Sequence, residues 1–465
     1  MKKAVANRFR RATSLGTVAL GLGGLIAMSA CGVQDSLLEQ QQPQIIVPEA
    51  VASSTGALGL YTGALGRFRT SLNGGDQNTE RIWNFAGLMT DEFKAGDTFS
   101  QRIDADQRAT QSFDVTLLPQ YNALQQSRGF ARTAINSLIS FAPDSGTKIG
   151  EMFLEVGFFE ATLAQDFCNG IPLGQTVEGI PQYTEPLTNA AIFALAVARY
   201  DSGTTYVKTA DAAAVNIKNA LLVAKARAQV NLGQFAAAAT TVASVPTTYA
   251  YLITYSQPTQ SNEWWQMATA AGSKRYAVGD SVDSGGLVGN SLPFASVGDT
   301  RVKVTTPKSS AKSFDNLTPL VEFLNYGREE PVALVNGIDA RLIEAEAKLQ
   351  ASDYPGMTTI LNALRTPGIT IGKVVYAAMP ALTAPATKDA AIDLFFREKA
   401  FWQFGRGERL SDLRRLVRQY GRTQDKVFPS GQYYKAGTYG TNVAFPVPDA
   451  EAANPNFHGC LDKNA

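Results

Sequence analysis

Paired carboxylates are the first residues to weigh, because two acids flanking one bond are the minimum apparatus for cleaving a glycosidic linkage. Glu344 and Glu346 stand two positions apart. On a helix such residues point about 200° away from each other, so they are badly placed to flank a single bond. Asp91 and Glu92 share the defect if helical and sit in a loop if not. His458, the lone histidine, is close to the C-terminus. It leaves no Ser-His-Asp apparatus and no histidine set for a metal. The chain therefore reads as a binding protein rather than an enzyme, with no metal and no cofactor.

Binding a sugar needs flat apolar faces to stack on ring C–H groups, with amides and carboxylates to read hydroxyls. Two stretches supply those types. Trp264, Trp265 and Tyr276 lie together with Asn262 and Glu263, and Trp83 lies with Asn84 shortly before Asp91. Each tryptophan is either a platform for ligand or a plug filling core beneath a loop. Trp402 sits in a helical pattern and reads as core. A further charged group, Arg397, Glu398, Arg409, Asp412 and Arg415, falls on two adjacent predicted helices. Arginine forks meeting carboxylates in two-pronged contacts would make it a partly buried structural ion-pair network.

The elements that must hold these residues begin after a leader. Lys2, Lys3, Arg8, Arg10 and Arg11 precede an uncharged run over 12–30. A basic start, an apolar core and small residues before a cleavage point make an export signal. Gly16, Gly21, Gly23 and Gly24 argue against a membrane-spanning helix, since glycine costs about 1 kcal/mol in a helix interior. Met28-Ser29-Ala30-Cys31 resembles the lipobox of bacterial lipoproteins, whose cysteine takes a diacylglycerol. The expected divisions are a signal peptide over 1–30, a lipidated tether over 31–48 and one domain over 49–465. Removing the leader takes five of the 42 basic residues and none of the 41 acidic ones. A mildly acidic chain remains, which excludes nucleic acid as a partner. Cys168 and Cys460 are then left either to bond to each other or to sit apart as buried thiols.

Within the domain, helical periodicity dominates. Helices are predicted over 114–141, 148–167 and 188–200, then as hairpins 214–231 with 235–245, 338–350 with 354–365, and 389–404 with 408–420. Gly233-x-Phe235-x-x-Ala238 resembles the corner of a tetratricopeptide repeat. Residues 247–331 and 421–465 lack that period and are rich in Gly, Ser, Thr and Asn. The fold class is mainly α: a tetratricopeptide-like helical-hairpin scaffold, an α/α superhelix, bearing a loop-rich insert.

Several segments, in order, are similar to the SusD/RagB-like outer-membrane lipoproteins. They are Tyr121-Asn122-Ala123-Leu124, the helix from Gly150-Glu151 ending in Phe167-Cys168-Asn169-Gly170-Ile171-Pro172-Leu173, and Arg341-Leu342-Ile343-Glu344-Ala345-Glu346-Ala347. Leu361-Asn362-Ala363-Leu364-Arg365, Gly407-Glu408-Arg409-Leu410-Ser411-Asp412-Leu413-Arg414-Arg415 and Phe445-Pro446-Val447-Pro448 complete the set. Arg406 stands where the family carries a glutamate, which marks a divergent branch. The resemblance implies a surface lipoprotein that captures an oligosaccharide or peptide. It also implies a partner, a TonB-dependent outer-membrane transporter of SusC/RagA type, which the lipoprotein covers as a hinged lid. A helical-repeat scaffold that binds an envelope protein and no small solute is the alternative.

Overall fold

Apolar residues recurring every three or four positions drive the long segments into helices that bury one stripe. The computed structural model describes residues 52–75, 81–177, 180–283, 286–305 and 310–465. The leader, Cys31 and the tether lie outside the described residues. Thirteen α-helices occur among the described residues. The first three are α1 (Ser54–Asn73), α2 (Ile82–Leu88) and α3 (Ser100–Asp106). The scaffold proper runs through α4 (Leu117–Phe141), α5 (Gly146–Asp166), α6 (Asn189–Tyr206), α7 (Ala212–Asn231) and α8 (Phe235–Val242). After α9 (Glu263–Ala268) it resumes with α10 (Gly337–Gln350), α11 (Tyr354–Arg365), α12 (Lys388–Trp402) and α13 (Arg409–Arg418).

Each scaffold helix packs on the next, α1 on α4, α4 on α5, and so on through α8 on α10, which in turn holds α11 and α12. This is the mainly α hairpin scaffold that the periodicity predicts. Local chemistry sets its joints. Asp211 caps α7 by accepting from the Ala214 N–H at 3.0 Å, and Gly233 takes φ +75° in the turn to α8, a backbone region that only glycine enters freely. Asn336 and Asp339 form a reciprocal capping box at the start of α10, with both bonds at 2.9 Å.

The insert is more ordered than its composition suggests. Residues 250–253 pair antiparallel with 332–336, so the excursion leaves and re-enters the scaffold through one ladder. Within it, Ser261–Asn262 pairs with Gly74–Gly75, and Tyr276–Val278 pairs with Phe93–Ala95. N-terminal chain and insert thus make one body. Its centre is aromatic: Phe93 stacks on Trp264 at 4.2 Å, while Phe323 and Phe404 pack within 5.7 Å of Phe93.

The chain's end is tied back to the scaffold. Cys168, just past α5, and Cys460 are bonded, with Cα atoms 6.0 Å apart. Phe445 sits in a parallel bridge to Phe167, and the Arg414 guanidinium donates to the carbonyls of Ala164, Gln165 and Phe167 at 2.6–3.1 Å. Those carbonyls are orphans of the α5 C-terminus, so one cation closes the helix.

Candidate functional site

Burial decides the fate of the sequence-predicted binding residues. Trp264 is fully buried, with Nε1 donating to the Gly405 carbonyl at 2.6 Å. Trp83 and Tyr276 are buried as well. Asn262 spends its amide on structure: Oδ1 accepts from the Trp264 N–H at 3.0 Å and Nδ2 donates to the Glu330 carbonyl at 2.8 Å. The buried Glu263 carboxylate lies against Gly75, where a Cβ would meet it at 1.3 Å. Asp91 is gripped by Arg409 at 2.7 and 2.8 Å and accepts the Leu292 N–H at 2.9 Å. These residues come together, but as the interior of the insert body. None of them offers a face to a solute. Trp265 is the exception, half-buried with Arg328 over its ring at 5.0 Å.

The charged group on α12 and α13 is largely the structural network its residue types imply. Glu398 accepts from Arg301 and Arg365 at 2.7–2.9 Å, and Asp412 accepts from Lys399 at 2.6 Å and Arg415 at 2.9 Å. Arg415 also grips Glu346. Each guanidinium meets more than one acceptor, which offsets the loss of its hydration. Arg397 departs from the expectation. Its guanidinium lies over the Phe401 ring at 5.0 Å and makes no ion pair among the described residues.

A groove of about 720 Å³ lies instead on the polar face of α4, opposite the paired strands 175–177 and 180–182 and beside Glu451 and Asn454. Helical spacing puts Gln126, Gly129, Phe130, Thr133 and Asn136 along it. Behind them, Gln125 donates to the Tyr121 hydroxyl at 2.9 Å and the Pro172 carbonyl at 2.8 Å, which holds the hairpin's root to the helix. Buried Arg128 donates to the Gly174 carbonyl; burial pushes its guanidinium down to about 10, with Glu160 opposing. Arg132 reaches Gln175 across the groove.

What remains open is a set of amides between two aromatic rings. Phe130 is 38% exposed, one face covered by the Arg67 guanidinium at 3.8 Å, and Tyr183 is 49% exposed. Gln126, Asn136 and Gln182 are exposed, with no side-chain partner among the described residues. Side-chain amides both donate and accept, as a sugar hydroxyl does. The lining charges are one arginine, Arg132, and one acid, Glu451. Burial lowers the first from its ordinary value, with Arg199 adding to the fall and Glu160 opposing it, and raises the second against Tyr121 and Arg128. The volume falls within the roughly 300–1,000 Å³ of small-ligand sites.

The sequence reading missed this groove. Polar residues on one face of a long helix read as solvent-facing, and an apolar Phe130 among them is a weak signal that breaks that pattern. The opposing hairpin carries no period that places it.

A helical-hairpin scaffold with a laddered insert defines the fold, and structural comparison gives that fold its name. A SusD superfamily protein from Bacteroides vulgatus superposes with TM-score 0.62 at 15% identity, covering 88% of this chain and 98% of that one. The surface glycan-binding protein A of Bacteroides uniformis gives 0.65 at 12%, over 88% and 99%. A laminarin-binding SusD-like protein gives 0.63 at 13%, over the same shares. The chain has the SusD-like fold. No family model matches the sequence, and no curated protein matches it either. Among the described residues, no helix is long and apolar enough to cross a membrane.

Proposed function

We propose that the chain is a SusD/RagB-like lipoprotein, lipidated at Cys31, that captures an oligosaccharide in the α4 groove and hands it to a TonB-dependent transporter. The observation that carries the reading is the groove itself: unpartnered amides set between Phe130 and Tyr183, with little net charge. A peptide would call for fixed charges or an exposed strand edge to hold its backbone. The groove carries one charge of each sign, Arg132 and Glu451, beside its exposed amides, and those amides match a neutral glycan. Binding proceeds without chemistry, because the groove is formed by helix and hairpin in advance and needs no cofactor. The fold shared with a glycan-binding and a laminarin-binding protein supports the same class of ligand. Surface attachment and the transporter partner rest on the lipobox-like leader and on the family resemblance.

Calorimetric titration with β-glucan oligosaccharides, other neutral glycans and peptides tests the ligand class. Phe130→Ala and Gln126→Ala should each weaken glycan binding by about tenfold, the loss of one stacking face or one pair of hydrogen bonds. Trp265→Ala should leave it unchanged. The reverse pattern would move the site to the insert. Pull-down from detergent-solubilised membranes should recover a large β-barrel partner; its absence under conditions that preserve glycan binding would remove the delivery step alone.

A further inference from the structure

The last excursion of the chain starts and ends at one place, the stretch 166–169 where α5 stops. At its start, the Phe445 N–H donates to the Asp166 carbonyl and the Phe445 carbonyl accepts the Cys168 N–H, each at 2.8 Å. At its return, Cys460 is bonded to Cys168, the Leu461 N–H donates to the Asn169 carbonyl at 2.8 Å, and Asp462 accepts from Asn169 Nδ2 at 2.7 Å. Residues 446–459 are therefore a loop fastened at both ends to the same few residues.

Between those ends the loop reaches the groove. Its 3-10 turn, Asp449–Ala453, carries Glu451, and Asn454 follows; both line the groove beside α4. The turn is set by the Asp449 N–H donating to the Ser112 carbonyl at 3.1 Å and by the Tyr121 hydroxyl donating to the Glu451 carboxylate.

The opposite wall springs from the same place. The hairpin's root, where 171–172 pair with 186–187, begins just past Asn169, and Asn169 Oδ1 accepts the Asn189 N–H at 2.8 Å as the chain enters α6. Asn454 joins the two walls: its Nδ2 donates to the Thr184 carbonyl at 3.2 Å, one residue past Tyr183, the ring on the hairpin side. Among the fastenings at the loop's return, the disulfide is the covalent one. The Leu461 and Asp462 hydrogen bonds are partly exposed, so water competes for them, whereas a cross-link limits how far the loop can stray in any case.

We propose that the Cys168–Cys460 bond is a positioning element of the ligand groove, an inference that rests on the α4 groove being the glycan site. It keeps Glu451 within reach of the ligand and, through Asn454, fixes the Tyr183 side of the hairpin. Neither cysteine touches ligand. Opening the bond frees the return of the loop, so this wall loses its fixed place while α4, which carries Phe130 and the amides, keeps its own. The protein then binds the same solute more weakly.

Hydrogen exchange and calorimetric titration with a β-glucan oligosaccharide, before and after treatment with a small dithiol, test this. The dithiol gives two electrons and two protons to the bond, which becomes two thiols, and closes into its own cyclic disulfide. On reduction, amides in 446–456 and 180–184 should exchange at least about tenfold faster while those of α4 and α7 do not change, and affinity should fall about tenfold; both effects should reverse on reoxidation. Asn454→Ala, with the bond intact, should speed exchange in 180–184 alone. An oxidised parent that binds no neutral glycan would remove the groove reading, and the exchange comparison would still decide whether the bond positions the wall. Unchanged exchange in 446–456 on reduction, a loss of protection that spreads through α4 and α7, or equal glycan affinity in the two forms would overturn the proposal.

Discussion

Glu92 sits where the insert body meets α13, and replacing it with glutamine should stabilise the protein increasingly as pH rises. Its Oε1 accepts the Gly405 N–H at 3.1 Å, while Oε2 is buried without a partner. Burial pushes its carboxyl up to about 8 from an ordinary 4.5, with the Gly405 N–H and then Arg409 working against the rise and Asp91 adding to it. A carboxyl raised on folding binds its proton more tightly in the folded chain. Its contribution to stability is therefore complete below about pH 4.5 and is lost as pH climbs through about 8. Each pKa unit corresponds to about 1.4 kcal/mol, so between about pH 6 and 8 this group alone removes on the order of 2 kcal/mol. Glutamine keeps the acceptor for Gly405 and cannot ionise. Urea unfolding of both proteins at about pH 6, 7 and 8 measures the difference. Asp166, also pushed up to about 8 by burial, adds a similar slope to both proteins, so the difference between them isolates Glu92. A difference that stays constant across this range, or glutamine being worse at the top of it, would refute the reasoning.

Arg409→Met strands the buried Asp91 carboxylate and should cost about 3–5 kcal/mol; adding Asp91→Asn should recover much of that in chemical denaturation. Gly407→Ala combines a φ of +71° with a Cβ placed 2.2 Å from Trp83 Cδ1, and Trp83 is too enclosed to move. It should lose about 2 kcal/mol or more, read as a lowered melting temperature. Thiol labelling of the unfolded, unreduced protein should find neither Cys168 nor Cys460 free. Replacing both with alanine should lower stability by up to about 5 kcal/mol, because the bond closes a loop spanning 292 positions.

The scaffold was readable because its helices repeat a period. The expected 354–365 coincides with α11, and elsewhere the ends moved by a few residues, most at α6, which continues to Tyr206. Helix α1 escaped notice: Gly59, Gly63 and Gly66 dilute its pattern, and only a few apolar residues, such as Ala57, Ala64, Phe68 and Leu72, mark its buried stripe. The tryptophans stayed open for a different reason. A polar, glycine-rich insert has no period to announce a core, so Trp83 and Trp264 could be read as platforms or as plugs. Their burial depends on Phe93, Phe323 and Gly405 arriving from distant parts of the chain, and no local pattern encodes such a meeting. The α4 groove was hidden likewise, since its far wall is a hairpin of three-residue strands.

That meeting of distant segments also orders events in time. The aromatic centre draws on Phe93, Trp264, Phe323 and Phe404, so its parts span most of the described chain. A chain emerging from its N-terminus can wind α4 to α8 from neighbouring contacts alone. It cannot bury Trp264 until Gly405 has followed, and Arg414 must arrive before the end of α5 is closed. Contacts of such separation form late and slowly. A truncation ahead of Gly405 would therefore leave a helical scaffold carrying exposed aromatic rings, a form that a quality-control protease can recognise and remove.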